Sequence, residues 1–283
     1  MPPDAVAEIG VIGGSGLYSL LADAEQVEVH TPYGEPSGPV AVGTVTTADG
    51  TARSIAFVAR HGAGHRLPPH MINYRANVWA LHAVGVTRVL GPCAVGSLRL
   101  ELRPGDVVLC DQFVDATWGR PGTFFDGPVV NHASIADPYC PELAPLVAAA
   151  AAEHGFTVHR GGTVVVIPGP RFATRAESAT YRRLGYDLIN MTQCPEVALC
   201  RELGMCYSAI ALITDYDSGL PDLPEVAAVT QVEVLARFGA DVGRLRDVLT
   251  AVLADVPARR TCRCHDIGID PGGLTIAPPA PPG

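Results

Sequence analysis

Two carboxylates follow directly on an apolar segment. In residues 209–219, AIALITDYDSG, apolar and partly β-branched side chains lead into Asp215 and Asp217, and Ser218-Gly219 ends the run. An apolar run of this length that is bounded by turn residues predicts a buried strand. Because two carboxyl groups that face one small volume do not both ionise cheaply, one of them tends to keep a proton.

A carboxylate beside a carboxylic acid complements one edge of adenine, which presents the N6 amino donor next to the N7 acceptor. The ionised group accepts a hydrogen bond from N6, and the protonated group donates one to N7. Transfer of that proton to N7 converts the base into a leaving group, which is general acid catalysis. A 6-oxopurine would place its O6 against a carboxylate and is disfavoured. The alternative for the same two residues is a turn-forming Asp pair without chemistry.

Two further segments offer donors for an anion. Arg60 and His61, in ARHGAGH (59–65), lie side by side where another apolar run ends. The planar guanidinium of Arg can bind two oxygens of a phosphate group. Ser15, in GGSG (13–16), offers a hydroxyl and an N–H beside glycines that let the backbone approach an anion. An ordinary glycine-rich turn and a structural histidine are the alternatives.

Two more segments can line a ligand. GPCAVGSL (91–98) has small side chains, so a ligand can lie against its backbone, and tight core packing is the alternative. Thr192 or Gln193, in NMTQCPE, can donate near the start of a predicted helix, where a simple N-cap is the alternative. Met191, just before them, can line the face of a sugar.

The elements that must position these residues alternate along the chain. Repeated helices that end in Gly before an apolar strand favour an α/β fold around a mixed, largely buried sheet, flanked by helices. We predict strands at 8–14, 52–62, 87–98, 105–115, 161–170, 187–191 and 207–217. We predict helices at 73–85, 140–155, 174–185, 194–204 and 223–256, the last broken into two near Gly239.

Composition narrows the class of protein. The 283 residues carry a formal net charge of −9 and no Lys/Arg run, which disfavours binding to nucleic acid or to an anionic membrane. No apolar stretch is long enough for a membrane span, and the N-terminus lacks the pattern of a signal peptide. We therefore expect a cytoplasmic enzyme with mostly reduced cysteines.

The chain divides into one domain, residues 1–260, and a Pro- and Gly-rich tail, residues 261–283. The tail begins with TCRCHD, in which Cys262, Cys264 and His265 are able to bind a metal or to form a strained disulfide. Three ligands so closely spaced do not match the usual zinc pairings, so we predict no metal site.

Nine segments occur in the order in which they occur in the methylthioadenosine phosphorylases, within the purine nucleoside phosphorylase family. Residues 8 to 256 resemble that family through IGVIGGSGLY, ARHGAGH, NYRANVWAL, GPCAVGSL, PGDVVLCDQFVD, DPYCPEL, PGPRFATRAES, NMTQCPE and TDYD. The resemblance implies a single α/β domain that assembles as a homotrimer. It implies cleavage of 5′-deoxy-5′-methylthioadenosine by phosphate, a co-substrate, to adenine and 5-methylthioribose 1-phosphate, without metal or organic cofactor.

The resemblance also implies residue roles. Phosphate-binding positions are matched by Ser15, Arg60, His61, Cys93, Ala94 and Thr192. Nucleoside-binding positions are matched by Phe172, Asn190, Met191, Asp215, Asp217, Val234, Leu235 and, lent by a neighbouring subunit, His132. Of the acid pair, Asp217 is the expected N7 proton donor.

Three positions depart from the family pattern. Cys93 stands where relatives often carry Thr, Ala173 where a Ser can touch the base, and Gln231 where an apolar residue often faces the 5′ substituent. A thiol is a weak donor, so phosphate binding is expected to be looser. A polar Gln231 leaves three alternatives open: adenosine or a 5′-halogenated adenosine as substrate, a 6-oxopurine nucleoside phosphorylase, or a non-catalytic nucleotide-binding module.

Overall fold

The computed structural model describes residues 7–14, 17, 21, 24–47, 50–220 and 226–266. Its strands are β1 (Ile9–Gly13), β2 (Glu25–Val27), β3 (Val40–Thr46), β4 (Ala52–Ala59), β5 (Arg88–Ser97), β6 (Val107–Leu109), β7 (Gln112–Asp115), β8 (Val158–Arg160), β9 (Thr163–Val166), β10 (Leu188–Asn190) and β11 (Cys206–Asp215). Its α-helices are α1 (Tyr74–Ala83), α2 (Leu143–Glu153), α3 (Arg175–Arg183), α4 (Gln193–Glu202) and α5 (Gln231–Asp255).

The described strands form one mixed sheet, as predicted. Strand β5 lies at its centre and runs parallel to β1 and to β11, while β10 pairs antiparallel with the end of β5. From β5 the sheet continues through β1 to β4, β3 and β2 on one side, and through β10 to β9 and β7 on another. Strand β11 joins β5 to β6, which pairs with β8. The parallel strands bring their carboxyl ends to one edge of the sheet.

Both faces of the sheet are covered, which explains why β11 reads as an uninterrupted apolar run. One face carries Tyr207, Ala209, Ala211 and Ile213 of β11 into a core shared with α1 and α4. The other face carries Cys206, Ile210 and Leu212 into a core shared with α2 and α5. The α/β class with helices on both faces of a mixed sheet is thereby confirmed.

Two details of the predicted elements are wrong. The segment 105–115 forms two short strands, β6 and β7, rather than one. Helix α5 runs from Gln231 to Asp255 without a break at Gly239. A glycine inside a helix costs only about 1 kcal/mol relative to alanine, and the apolar face of α5, from Phe238 to Leu253, is buried against the core.

No helix in the described part of the chain combines the length and the apolar character needed to cross a membrane.

Candidate active site

A cavity of about 720 Å³ opens where the parallel strands end. Its volume is typical of a site for a small organic molecule. The cavity is lined by these predicted site residues: Arg60, His61, Cys93, Ala94, Phe172, Asn190, Met191, Thr192, Asp215, Asp217, Val234 and Leu235. Two predicted residues are not among them: Ser15 lies outside the described residues, and His132 lies on an exposed segment away from the cavity of its own chain.

The acid pair sits where β11 bends away from β5. The pairing register slips between Ile213 and Asp215, opposite Gly96. Asp217 then adopts a φ of +49°, a left-handed conformation that Asp tolerates better than most residues. Its backbone N–H donates to Asp215 Oδ1 at 2.7 Å, and its carbonyl accepts from the N–H of Val229 at 2.9 Å. The turn thus turns both carboxyl groups toward one wall of the cavity.

The two carboxyl groups have different partners. Both oxygens of Asp215 lie in hydrogen bonds, Oδ1 with the Asp217 N–H and Oδ2 with Thr214 Oγ1 at 2.6 Å. Asp217 is only 2% exposed, and its Oδ2 is buried without a hydrogen-bond partner among the described residues. A buried polar oxygen without a partner is costly and marks a place for a ligand or a proton.

Burial raises the pKa of both acids. It raises the pKa of Asp215 to about 6, with the negative charge of Asp217 adding to the effect and the hydrogen bonds from Thr214 and Asp217 opposing it. Burial likewise raises the pKa of Asp217, against the hydroxyls of Ser178 and Ser218 and the charge of Arg182. The pair therefore holds a proton more firmly than two surface carboxylates would, as the sequence predicted.

Gly96 makes room for this pair. A Cβ atom on Gly96 would lie 2.9 Å from Asp215 Oδ1, 2.9 Å from Ile189 Cγ2 and 3.3 Å from the Asp217 Cβ. Such distances are too short for carbon contacts in a packed interior. The absence of a side chain at residue 96 therefore positions the acids against β5.

Arg60 lines the cavity but is already engaged. Its side chain is buried and donates to both carboxylate oxygens of Glu196, from Nε at 2.5 Å and from Nη2 at 3.0 Å. Nη1 donates to the Pro92 carbonyl at 3.0 Å, and Nη2 to the Ile12 carbonyl at 2.8 Å. Four of the five guanidinium N–H groups are used in this way, which corrects the expectation of a two-pronged grip on phosphate. One N–H of Nη1 is left for an anion.

Glu196 is the residue that sequence reasoning missed. It is fully buried, and besides Arg60 it accepts from the Tyr207 hydroxyl at 2.9 Å. Tyr207 reaches it because residue 91 is glycine: a Cβ there would lie 2.2 Å from the Tyr207 hydroxyl oxygen. A glutamate in the apolar helix of NMTQCPEVALC was the available signal, because a buried acid requires a cationic partner.

His61 faces the cavity as a neutral ring. Burial and the neighbouring Arg60 charge lower the pKa of His61 to about 4. Its Nδ1 lies 2.9 Å from the Leu67 carbonyl, so the ring donates there and presents Nε2 as an acceptor. His61 also stacks on His65 with ring centroids 4.2 Å apart. The ring is thus placed to accept from a protonated phosphate oxygen rather than to supply positive charge.

The loop after β10 is organised by Asn190. Its Oδ1 accepts from the N–H groups of Thr192 and Gln193, both at 2.7 Å, and its Nδ2 donates to the Ala94 carbonyl at 2.8 Å. This ties β10 to β5 and fixes the start of α4. Gln193 also donates to Cys93 Sγ at 3.5 Å. Burial raises the pKa of Cys93 to about 12, so its side chain is an uncharged thiol beside the anion positions.

One wall of the cavity is a face of α5. Val234, Leu235, Phe238 and Val242 contribute apolar surface there, and Gln231 lies at the end of the helix where it starts. Across the cavity stand Phe172 and Met191. The cavity therefore combines an apolar end, an acid pair and a group of donors around Arg60, which is the composition that a substituted nucleoside and an anion require.

Comparisons with known proteins agree with this composition. The model of the Phosphorylase superfamily matches residues 8–254. A purine nucleoside phosphorylase of Streptomyces coelicolor is 50% identical over 94% of this chain and 96% of its own length. An S-methyl-5′-thioadenosine phosphorylase of Thermococcus kodakarensis is 48% identical over 92% of this chain and 96% of its own length.

A solved structure gives the same result. The methylthioadenosine phosphorylase sourced from an antarctic soil metagenomic library superposes with a TM-score of 0.83 and 38% identity. The superposition covers 93% of this chain and 91% of that one.

Proposed function

The chain belongs to the phosphorylase superfamily and is a pentosyltransferase of the purine nucleoside phosphorylase type, and we propose that it cleaves 5′-deoxy-5′-methylthioadenosine with phosphate. The products are adenine and 5-methylthioribose 1-phosphate. The family read from the nine sequence segments is confirmed by the match over residues 8–254 and by the relatives. The observation that carries the substrate is one cavity with a buried acid pair at one wall and an apolar helix face at another.

The acid pair favours an adenine over a 6-oxopurine. A shared proton lets one carboxyl donate to N7 while the other accepts from the N6 amino group. We assign the donation to Asp217, because its Oδ2 is the buried oxygen that has no partner of its own among the described residues. Asp215, whose oxygens already lie in two hydrogen bonds, takes the role of acceptor.

The α5 wall favours a methylthio group over the hydroxyl of adenosine. Val234, Leu235, Phe238 and Val242 provide apolar contacts, and burying a hydroxyl against them without a partner costs free energy. Gln231 is exposed to solvent at the rim of the cavity, so its amide need not be buried by the substrate. Adenosine and halogenated adenosines are therefore not favoured.

The reaction follows from these positions. Phosphate is held below C1′ by the loop after β10 and by the N–H of Arg60 that Glu196 leaves available. As the bond from C1′ to N9 lengthens, positive charge on the ribosyl ring is stabilised by the phosphate dianion, whose oxygen then bonds to C1′ from the opposite face. The purine takes the electron pair of the broken bond and a proton at N7. Positioning the anion and neutralising the base are the two catalytic tasks.

We assign phosphate as co-substrate and assign neither an organic cofactor nor a metal to the reaction. Ser15, Cys93 and Ala94 complete the phosphate positions in this proposal. Phe172 packs on the base, and Met191 lies against the ribose. These roles rest on the matched family positions and on the cavity that brings together all of the described ones.

We further propose a homotrimer in which His132 of one subunit reaches the 5′ end of a neighbouring cavity. His132 is exposed, and it follows a stretch with exposed apolar side chains, among them Trp118, which is 76% exposed, and Val130, which is 71% exposed. Apolar side chains at such exposure are expected to be covered by a partner.

Two remaining expectations are also proposals. We propose a cytoplasmic enzyme, because all eight cysteines lie in the structure as buried thiols, the state that a reducing compartment maintains. We propose the division into a domain at 1–260 and a tail at 261–283; residues 267–283 lie outside the described part of the chain.

The test is adenine release from methylthioadenosine, with and without phosphate, beside adenosine, inosine and a 5′-chlorinated 5′-deoxyadenosine. We expect phosphate-dependent release that is fastest from methylthioadenosine and absent from inosine. Release without phosphate would indicate a hydrolase, and faster release from another adenine nucleoside would transfer the proposal to that 5′ group. Binding of adenine without any turnover would leave only the binding-module alternative.

A further inference from the structure

Four cysteines from three parts of the chain meet near the amino end of β11. Cys140 precedes α2, Cys206 is the first residue of β11, and Cys262 and Cys264 follow α5. All four are buried, and their four Sγ atoms lie within 4.8 Å of one another. Residues 261–266 are thereby packed against the core, although they begin the predicted tail.

The arrangement matches the ligand set of a closed metal site. A zinc ion held by four thiolates at about 2.3 Å requires sulfur atoms roughly 3.8 Å apart. The Sγ atoms of Cys206 and Cys262 are 3.4 Å apart, and every other pair lies within 4.8 Å. Four soft sulfur ligands in a tetrahedral set select zinc over magnesium or calcium. No position is left open for a substrate, which is typical of a structural rather than a catalytic centre.

The backbone that carries the last two ligands is fixed by Glu142. One carboxylate oxygen of Glu142 accepts from the N–H of Thr261 at 2.7 Å and from the N–H of Cys262 at 3.2 Å. Glu142 stands two residues after Cys140, at the start of α2. The same short segment therefore contributes one ligand and holds the chain that contributes two others.

A buried cation beside the cluster favours a negatively charged centre. Arg201, in α4, is 4% exposed, and its Nε and Nη1 are buried without hydrogen-bond partners among the described residues. Its charge acts on Cys264. A buried guanidinium with so few partners is costly by itself. Four thiolates around a divalent cation carry a net charge of −2, which compensates Arg201.

We propose that Cys140, Cys206, Cys262 and Cys264 bind one zinc ion, which fastens the segment after α5 to the beginning of β11. Binding replaces the four S–H protons by one Zn²⁺, so four protons are released. The site lies about 30 Å along β11 from the acid pair, at roughly 3.3 Å per residue. It stabilises the fold and takes no part in phosphorolysis.

Sequence reasoning grouped the wrong residues here. It considered Cys262 and Cys264 with His265, whose ring instead pairs with Asp266 at 3.0 Å. The missing ligands, Cys140 and Cys206, lie far away in sequence. Only the fold brings them to the C-x-C segment, which is why the spacing alone argued against zinc.

The experiment is metal analysis of the full chain purified with reductant and without chelator, from cells grown with added zinc. We expect close to one zinc per chain in the wild type and a loss of most of it in Cys264→Ser. Cys200→Ser is the matched control, because Cys200 is a buried thiol outside the cluster, and we expect it to keep its zinc. Wild-type protein from cells grown with cobalt should show the sulfur-to-cobalt charge-transfer absorption of a tetrathiolate site.

Three results would overturn the proposal. One is a wild type without bound zinc or cobalt. Another is Cys264→Ser protein that retains the wild-type zinc content. The third is an intact mass below that of the fully reduced chain, with peptide mapping that places disulfides among these four cysteines. Because the first and third readouts use the wild type, they remain decisive even if Cys264→Ser does not fold.

Discussion

The two ends of strand β11 differ in the partners that their polar atoms find. At the amino end, Cys206 joins three other buried thiols in a set that closes on itself. At the carboxyl end, Asp215 and Asp217 lie against a cavity, and one Asp217 oxygen is buried without a partner. The strand between them is apolar and buried on both faces. One rigid element therefore carries a closed cluster at one end and an open one at the other.

The difference teaches how structural and functional polar groups can be told apart. A group whose partners all come from the chain stabilises the fold, and its removal changes stability first. A group that lacks a partner and faces a cavity has its partner in the ligand, and its removal changes activity first. The buried pair of Arg60 and Glu196 belongs to both classes, because it is satisfied internally yet lines the cavity.

Asp217→Asn should have the largest effect, and the effect should fall on activity. An amide cannot deliver a proton to N7, so we expect kcat for methylthioadenosine to fall by about 10²- to 10⁴-fold with little change in melting temperature. Steady-state kinetics and thermal denaturation measure the two quantities. Asp247→Asn, an exposed position on α5, is the matched control and should behave as wild type. A larger loss of kcat in Asp215→Asn would transfer the donor role to Asp215.

Glu196→Gln should act on stability and reveal the mixed character of its pair. Removing one charge from a buried ion pair costs about 3 kcal/mol of unfolding free energy. Arg60 is then left uncompensated, and a phosphate dianion can compensate it. We therefore expect phosphate to raise the melting temperature of Glu196→Gln more than that of wild type. An equal rise in both proteins would separate Arg60 from the anion site; Glu153→Gln, on the surface of α2, is the control.

Asp215→Asn should change how stability depends on pH. The folded-state pKa of Asp215 is raised from 3.8 to about 6. The folded protein therefore binds this proton more tightly than the unfolded chain, and the associated stability is present below pH 3.8 and lost as pH rises through 6. The loss amounts to about 2–3 kcal/mol. Denaturation at pH 4.5 and pH 8 should show Asp215→Asn gaining stability relative to wild type at the higher pH, and no such gain would contradict the raised pKa.

The acid pair was accessible from the sequence, and its supporting residues were not. An apolar run that ends in Asp-x-Asp-Ser-Gly predicts both the strand and two carboxyl groups at its end, because strand periodicity is local. Gly96 and Glu196 act through residues distant in sequence: one leaves space for the acids, the other neutralises Arg60. Such roles depend on register between strands, which spacing along the chain does not encode.

Helix α5 illustrates the same limit. Its interior glycines predict a break when helix propensity alone is considered, yet burial of its apolar face keeps it continuous. The thiol cluster repeats this lesson at the other end of β11, where two of its four members come from segments that the sequence pattern did not connect.

Gly96→Ala should have the smallest effect on the open end. The added Cβ displaces Asp215 Oδ1 by a few tenths of an ångström, and we expect about a 10-fold loss in kcat/KM for methylthioadenosine. The KM for phosphate should stay unchanged. Gly243→Ala, in α5, has open space for a Cβ and should instead add about 0.5–1 kcal/mol of stability without changing kinetics. Unaltered kinetics in Gly96→Ala would remove that glycine from the positioning of the acids.

The central claim is that the carboxyl end of β11 reads adenine through a proton shared by two acids. The most direct measurement compares kcat/KM for 5′-deoxy-5′-methylthioadenosine and 5′-deoxy-5′-methylthioinosine, which share one sugar and differ at position 6 of the purine. We predict a preference for the adenine compound on the order of 10⁴-fold, because a site built on hydrogen bonds rejects a base that reverses them. Comparable kcat/KM values for the two compounds would contradict the account.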